Sequence, residues 1–121
     1  MLYYVTLGAN DEKKALAFYK AVLAPLDIVP IGDHGGFGEN GGEAFLWVGK
    51  PFDGKPATFG NGTMVAFRAK SRAAVDAFHA ACLANGGSDE GAPGLRKYAP
   101  DWYGAYARDP DGNKLTAVFR G

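Results

Sequence analysis

Aromatic and cationic side chains are concentrated in residues 94–106 (GLRKYAPDWYGAY), in the second half of the sequence. Aromatic rings can stack on a flat ligand, and an arginine can pair with a carboxylate or a phosphate. The same residue types are enriched at protein–protein interfaces, so a dimer contact is an equal alternative. The side chains that could bind a ligand here are Arg96, Tyr98, Trp102, Tyr103 and Tyr106.

Residues suited to nucleophilic or acid–base catalysis are few. Cys82 shares the apolar face of a predicted helix with His79, and we expect both side chains to be packed there. His34 lies in a glycine-rich loop, and no Ser-His-Asp arrangement is readable. Tyr4 is the best-placed candidate for acid–base catalysis, provided that its surroundings lower its pKa. The sequence identifies no other catalytic residue.

Composition and charge exclude several classes of function. The chain has 121 residues, of which 47% are hydrophobic, a formal net charge of zero and one cysteine. This length suits one domain with its own core. Without basic or acidic blocks, neither nucleic acid nor a membrane is an expected partner. The single cysteine and the lack of a secretory leader or long apolar stretch predict a cytoplasmic protein.

The sequence aligns loosely with itself at an offset of roughly 60 residues, which indicates a duplicated structural unit. Residues 4–7 (YVTL) fall on residues 64–67 (MVAF). Each half has the pattern of a strand, a helix and about three further strands. We expect one domain, residues 1–121, with a first module over about 1–50, a connector over about 51–61 and a second module over about 62–121.

Several element boundaries follow from local signals. Asn10 is predicted to cap the first helix and Ser71 the second. The sequence DPDGN, residues 109–113, lies between two strand-like runs and predicts a hairpin turn. A short strand is also predicted near Leu95 to Tyr98, within an otherwise irregular stretch.

Three segments in this order resemble the vicinal oxygen chelate superfamily, which comprises glyoxalases, bleomycin resistance proteins and extradiol dioxygenases. They are YVTLGANDEKKALAFYKAVLAPL, GNGTMVAFRAKSRAAVDAFHAA and YGAYARDPDGNKLTAV. The resemblance covers essentially the whole chain. It implies an α+β fold in which two βαβββ modules form a curved mixed β-sheet with a cavity.

The resemblance also identifies the positions at which metal-using members hold their ion. Those members carry a histidine on the first strand of each module and a glutamate on the last strand, which suit a divalent metal. The corresponding residues here are Tyr4, Met64 and Thr116, and a fourth position falls near Leu46. Because none of these is a good ligand, the resemblance implies a protein without the family metal, and no cofactor is expected.

Strand alternation predicts a ligand-binding surface around the same positions. Residues two apart on a strand share one face, so each metal position keeps its place on the concave side of the implied sheet. A phenol, a thioether, a hydroxyl and a cation would suit a small, partly apolar ligand. An equal alternative is that Tyr4 and Met64 only fill the old cavity. The predicted binding residues on this face are Tyr4, Met64, Arg68 and Thr116.

The expected function is that of a glyoxalase- or bleomycin-resistance-like protein that binds a small organic molecule in a sheet-lined cavity. One alternative is a lyase- or isomerase-like enzyme, related to lactoylglutathione lyase, with a nonstandard or metal-free site. Another is a structural or regulatory dimer with a filled cavity. We also expect a homodimer, because the aromatic run from Tyr98 to Tyr106 offers apolar surface that a monomer would leave exposed.

Overall fold

The chain folds into two βαβββ modules that follow one another along the sequence, and the computed structural model describes all residues, 1–121. The first module comprises β1 (Val5–Gly8), α1 (Glu12–Leu23), a 3-10 turn (Ala24–Leu26), β2 (Ile28–Ile31), β3 (Gly36–Glu39) and β4 (Ala44–Gly49). The second comprises β5 (Met64–Arg68), α2 (Arg72–Ala84), β6 (Ser88–Leu95), β7 (Trp102–Arg108) and β8 (Lys114–Arg120).

Each module forms its own four-stranded mixed sheet, in the strand orders β1-β4-β3-β2 and β5-β8-β7-β6. The first strand of each module runs parallel to its last strand, and the other neighbours are antiparallel. The predicted α+β fold is therefore confirmed, with the eight strands divided between two open sheets. Strands β1 and β5 are both edge strands, so each has one edge without a hydrogen-bonded neighbour.

The two helices pack against each other and against the sheets of their own modules. Their buried hydrophobic residues belong to a cluster of 21 buried residues that spans both modules. Ser71 caps α2 as predicted, since its hydroxyl accepts a hydrogen bond from the Ala74 amide at 3.0 Å. Helix packing thus gives the two modules one continuous core.

Neither α1 nor α2 combines the length and the apolar character that a membrane crossing requires.

Two boundaries differ from their prediction. The cap of α1 is Asp11, whose carboxylate accepts a hydrogen bond from the Lys14 amide at 3.1 Å. Asn10 instead accepts from the Ala57 amide at 2.7 Å and donates to Asp111, because an amide side chain can do both at once. Strand β6 is long and begins at Ser88, well before the predicted position. Its pairing with β7 includes register shifts around Gly91, which explains the missing alternation.

The DPDGN turn joins the two modules as well as two strands. Asp109 is 4% exposed, and its carboxylate accepts a hydrogen bond of 2.5 Å from the hydroxyl of Tyr19 on α1. Burial is the main reason that the pKa of Tyr19 is raised well above its usual range, so this hydroxyl remains a donor. The side-chain amide of Asn113 donates to the Gly8 carbonyl at 3.0 Å. The turn therefore fixes β8 against both α1 and β1.

Candidate functional site

The second sheet has one face covered by α2 and one face turned away from it, which we call the open face. On β5, Phe67 points into the core with 5% of its surface exposed, whereas Met64 and Arg68 are exposed. The open face extends across neighbouring strands of the sheet. In the strand register, Ala66 lies beside Thr116 and Thr116 lies opposite Tyr106. Side chains from β5, β8 and β7 therefore share this face.

Thr116 is the most deeply buried of the predicted binding residues. It is 1% exposed, and its hydroxyl donates a hydrogen bond of 2.8 Å to the Ala105 carbonyl on β7. The hydroxyl is therefore committed to the sheet. Thr116 contributes to the floor of the open face rather than presenting a free polar group.

Tyr4 and Met64 line the same cavity, at the gap between the free edges of β1 and β5. The cavity has a volume of about 410 Å³, and all nine of its lining residues are hydrophobic. Tyr4 is 50% exposed and Met64 is 44% exposed, so neither side chain is packed as ordinary core. The structure brings these two residues together, and Thr116 is not among the lining residues. The remaining lining residues are Leu2, Tyr3, Val5, Phe45, Val65, Ala66 and Phe67.

Arg96, Tyr106 and Lys114 form a group on the open face that we call the Tyr106 cluster. The guanidinium carbon of Arg96 lies 5.3 Å from the centre of the Tyr106 ring, and the Lys114 Nζ lies 5.7 Å from the same centre. Both distances are within the range of cation–π attraction. Sequence reasoning missed Lys114, although it lies two residues before Thr116 and alternation alone puts it on the same face.

Two glycines of β6 make room for the Arg96 side chain. A Cβ atom at Gly91 or Gly94 would lie 3.2 or 3.1 Å from a terminal nitrogen of Arg96, which is closer than ordinary contact. The guanidinium also donates a hydrogen bond of 2.6 Å to the Ala92 carbonyl. Arg96 is therefore held in place over the strand, and three of its five N–H groups have no hydrogen-bond partner.

Trp102 and Tyr98 form a neighbouring aromatic pair with ring centres 5.3 Å apart. The guanidinium of Arg120 lies 5.2 Å from the Trp102 ring and donates to Asp101 at 2.8 Å. Trp102 Nε1 is buried without a hydrogen-bond partner, which is uncommon in a folded protein and unfavourable for stability. Tyr98 remains 71% exposed at the end of this pair.

Tyr103 lies on the face of the sheet covered by α2, so the structure separates it from the other predicted binding residues. Its hydroxyl donates a hydrogen bond of 2.6 Å to Asp76 on α2, and Arg72 lies 4.9 Å from its ring centre. The hydrogen bond to Asp76 is the main reason that the pKa of Tyr103 is raised. Tyr103 therefore stabilises helix packing.

Arg68 is directed toward a second groove between the modules. This groove has a volume of about 470 Å³, and its lining includes Asp27, Glu39 and Lys70. Lys70 pairs with Asp27 at 3.1 Å, whereas Arg68 has no carboxylate partner. Arg68 and the Tyr106 cluster thus belong to one sheet, with Arg68 on the edge strand β5 and Tyr106 two strands away on β7.

The largest cavity of the molecule lies on the first sheet and was not anticipated. It has a volume of about 630 Å³ and is bounded by Thr6, Trp47, His34 and much of the connector. The connector is irregular, and its position over the sheet depends on tertiary contacts such as the Asn10–Ala57 hydrogen bonds. No local sequence signal predicts that placement.

The remaining nucleophilic and titratable groups do not assemble into a reactive centre. Cys82 is fully buried, and burial raises the pKa of its thiol to about 12, so the reactive thiolate is disfavoured. His79 Nε2 lies 2.9 Å from an oxygen of Asp89, and this bond is the main cause of the lowered pKa of Asp89. No three His, Cys, Asp or Glu side chains are grouped so that they could hold a metal ion.

Comparison with known proteins identifies the family. The family model for the Glyoxalase/Bleomycin resistance protein/Dioxygenase superfamily matches residues 2–116. The chain is 41% identical to a glyoxalase/bleomycin resistance protein from Albidiferax ferrireducens T118, with a TM-score of 0.85 and coverage of 98% of this chain and 97% of that one. This protein therefore belongs to the Glyoxalase/Bleomycin resistance protein/Dioxygenase superfamily.

Two more distant structures share the fold. A glyoxalase-related enzyme from Fulvimarina pelagi is 17% identical with a TM-score of 0.75, over 99% of this chain and 88% of that one. TnmS3, an antibiotic binding protein from Streptomyces sp. CB03234, is 23% identical with a TM-score of 0.61, over 100% of this chain and 96% of that one. At these identities the likeness concerns the fold alone. No curated protein matches the sequence.

Proposed function

We propose that this protein binds a small organic molecule without the family metal, in the cavity between β1 and β5 and on the adjoining open face. The observation that carries the proposal is the pairing of Tyr4 with Met64 at two family metal positions. Both line one apolar cavity and both remain about half exposed. A concave, mostly apolar surface with polar groups at its margin is typical of small-molecule sites.

The open face supplies polar groups next to the cavity. Met64 is the register partner of Lys114, and Ala66 lies beside Thr116, which is opposite Tyr106. The apolar cavity wall on β5 and the Tyr106 cluster are therefore joined by hydrogen-bonded strands of one sheet. The structural likeness to TnmS3, described as an antibiotic binding protein, is compatible with a binding role for this fold.

An enzymatic role receives less support from the arrangement of Tyr4. A tyrosine that acts as an acid or base needs a partner or an environment that lowers its pKa. The Tyr4 hydroxyl has no hydrogen-bond partner within the chain, whereas the neighbouring Tyr3 donates to Glu43 at 3.0 Å. We therefore propose binding rather than turnover. The free, buried Cys82 suits a reducing compartment, and we place the protein in the cytoplasm.

The proposal is tested by thermal unfolding of chelator-treated protein against a panel of small organic molecules. A ligand at a hundred times its Kd is expected to stabilise the native state by about 2.7 kcal/mol and to raise the Tm by roughly 10 °C. The shift should be lost in Tyr4→Ala and Met64→Ala. It should persist in Leu83→Ala, a control on α2 whose side chain has a similar exposure of 45%.

Two outcomes of that experiment would contradict the proposal. One is a panel without any stabilising compound. The other is a shift that appears only after a divalent metal is added back, since the proposed site uses none. If the ligand still raised the Tm of both Tyr4→Ala and Met64→Ala, it would bind elsewhere. The cavity beneath the connector would then be the best candidate.

We also propose that the protein is a homodimer. Large apolar side chains are exposed beside the edge strands of both modules. Leu2 (84%) and Tyr3 (67%) precede β1, whereas Leu95 (55%) ends β6 and Tyr98 (71%) follows it. Exposed apolar surface next to unpaired strand edges favours association with a second copy. Light scattering at micromolar concentration should give twice the 12.8 kDa mass of one chain. A single species at the mass of one chain would refute the dimer, and Leu2→Asp and Tyr98→Asp would show which edge is used.

A further inference from the structure

Positive charge is concentrated on the open face without a matching negative charge. Arg96 and Lys114 lie 5.3 and 5.7 Å from the same ring centre, so their charges are no more than about 11 Å apart. The carboxylates nearby are already engaged, because Glu90 bonds Arg108 at 2.5 Å and Asp101 bonds Arg120. Two unpaired like charges at this separation repel each other, and a bound anion would relieve the repulsion.

Arg96 is prepared for such an anion before it arrives. Its guanidinium is held by the Ala92 carbonyl and lies directly over Gly91 and Gly94. A side chain that is already ordered loses less conformational entropy on binding than a free one. Its planar group retains N–H donors, and these match the two oxygens of a carboxylate. Lys114 can then add a second positive charge from β8, on the other side of the Tyr106 ring.

An apolar wall lies within reach of these cations. Met64 and Ala66 line the cavity with Tyr4, and Ala66 is two strands away from Tyr106 through Thr116. Because neighbouring strands are about 4.8 Å apart, the cavity wall and the Tyr106 ring are separated by about 10 Å. A flat two-ring molecule can bridge this span, with its rings against the apolar wall and its charged end at the cluster.

We infer that the ligand of this protein is a flat aromatic carboxylate, whose anionic group is held by Arg96 and Lys114 and whose rings occupy the Tyr4–Met64 cavity. The inference rests on the proposed binding function and specifies the class of ligand. A carboxylate suits the site better than a phosphate because α2 covers the opposite face of this sheet and α1 packs on the first sheet, so neither helix offers its N-terminus to a phosphate here.

The test compares 2-naphthoate with 2-naphthamide, which has the same shape and no charge, by isothermal titration of the full chain. The carboxylate is expected to bind at least about tenfold more tightly, as a charge-assisted hydrogen bond would provide. Arg96→Gln and Lys114→Met should each reduce this preference by about tenfold or more. Arg96→Lys keeps the charge and should retain part of the preference, and Lys97→Gln, at the adjacent exposed position, should leave it within about twofold.

The outcomes separate the ligand class from the proposed function. Equal affinity for the carboxylate and the amide, or a preference unchanged in Arg96→Gln and Lys114→Met, would overturn the carboxylate assignment while leaving a binding protein. Tighter binding of 2-naphthyl phosphate than of 2-naphthoate would also overturn it. If neither naphthyl compound binds but another compound stabilises the protein through Tyr4 and Met64, the inference fails and the proposed function stands. If nothing binds, both fail.

Discussion

Replacing Asp109 by alanine is expected to lower the free energy of unfolding by about 3 to 5 kcal/mol, because it leaves several buried donors without partners. The carboxylate accepts four hydrogen bonds, from the Tyr19 hydroxyl at 2.5 Å, the Asn113 side-chain amide at 2.8 Å, and the Asn113 and Asp111 backbone amides at 2.9 Å. Tyr19 is fully buried, so water cannot replace the lost acceptor. Urea unfolding measures the change.

Two further variants make this result specific to the junction of the modules. Tyr19→Phe removes one donor and should cost about 1.5 to 3 kcal/mol, as expected for a hydrogen bond to a charged group. Asp53→Ala is the control, since Asp53 accepts a similar bond from the Lys55 amide at 3.0 Å but lies in an exposed turn. Its loss should be below about 1 kcal/mol. If Asp109→Ala lowered the free energy of unfolding no more than Asp53→Ala does, Asp109 would not be holding the two modules together.

Phe67→Ala is expected to cost about 3 to 5 kcal/mol, whereas Met64→Ala on the same strand should cost less than about 1 kcal/mol. The two side chains are three residues apart and face opposite sides of β5. Phe67 is 5% exposed within the core, and Met64 is 44% exposed at the cavity. Thermal and urea unfolding of both variants give the comparison without any ligand.

The Met64 result bears directly on function. A loss of about 2 to 5 kcal/mol for Met64→Ala would mean that the side chain is tightly packed, and the cavity between β1 and β5 would be ordinary core. A small loss would mean that Met64 contributes little to stability and remains accessible. The proposed binding site requires the small loss.

The residue predicted at the family's glutamate position has a physical consequence for the open face. That residue is Thr116, whose hydroxyl donates a hydrogen bond to the Ala105 carbonyl within the sheet. A glutamate carboxylate at this position would need a metal or another charged partner, whereas the Thr116 hydroxyl and the Ala105 carbonyl form a neutral pair. The positive charge of the open face then has no resident carboxylate to offset it, which is the basis for expecting an anionic ligand.

Local features of the sequence were sufficient to predict the modules and their elements. Apolar residues recur at helical spacing along α1, and all five of them are buried: Ala15, Phe18, Tyr19, Val22 and Leu23. Ser71 caps α2, and the DPDGN turn separates β7 from β8. These signals depend on residues close to one another in the chain, so they are readable without a structure.

Contacts between distant residues required the tertiary structure. The length of β6 and its bulges depend on pairing with β7, and the bond from Tyr19 to Asp109 spans 90 positions. Tyr103 and Tyr106 belong to one aromatic segment, yet the pleat of β7 turns Tyr103 toward α2 and leaves Tyr106 on the open face.

The sequence by itself therefore determined the family and the α+β fold, and its resemblance to the family predicts that Tyr4, Met64 and Thr116 stand at the metal positions. The tertiary structure decided which side chains meet. It divided the strands into two sheets, buried the Thr116 hydroxyl and brought Arg96 and Lys114 to one ring. The reason is that residue type and periodicity are local properties. The convergence of side chains depends instead on strand register and module packing, which are set by the whole chain.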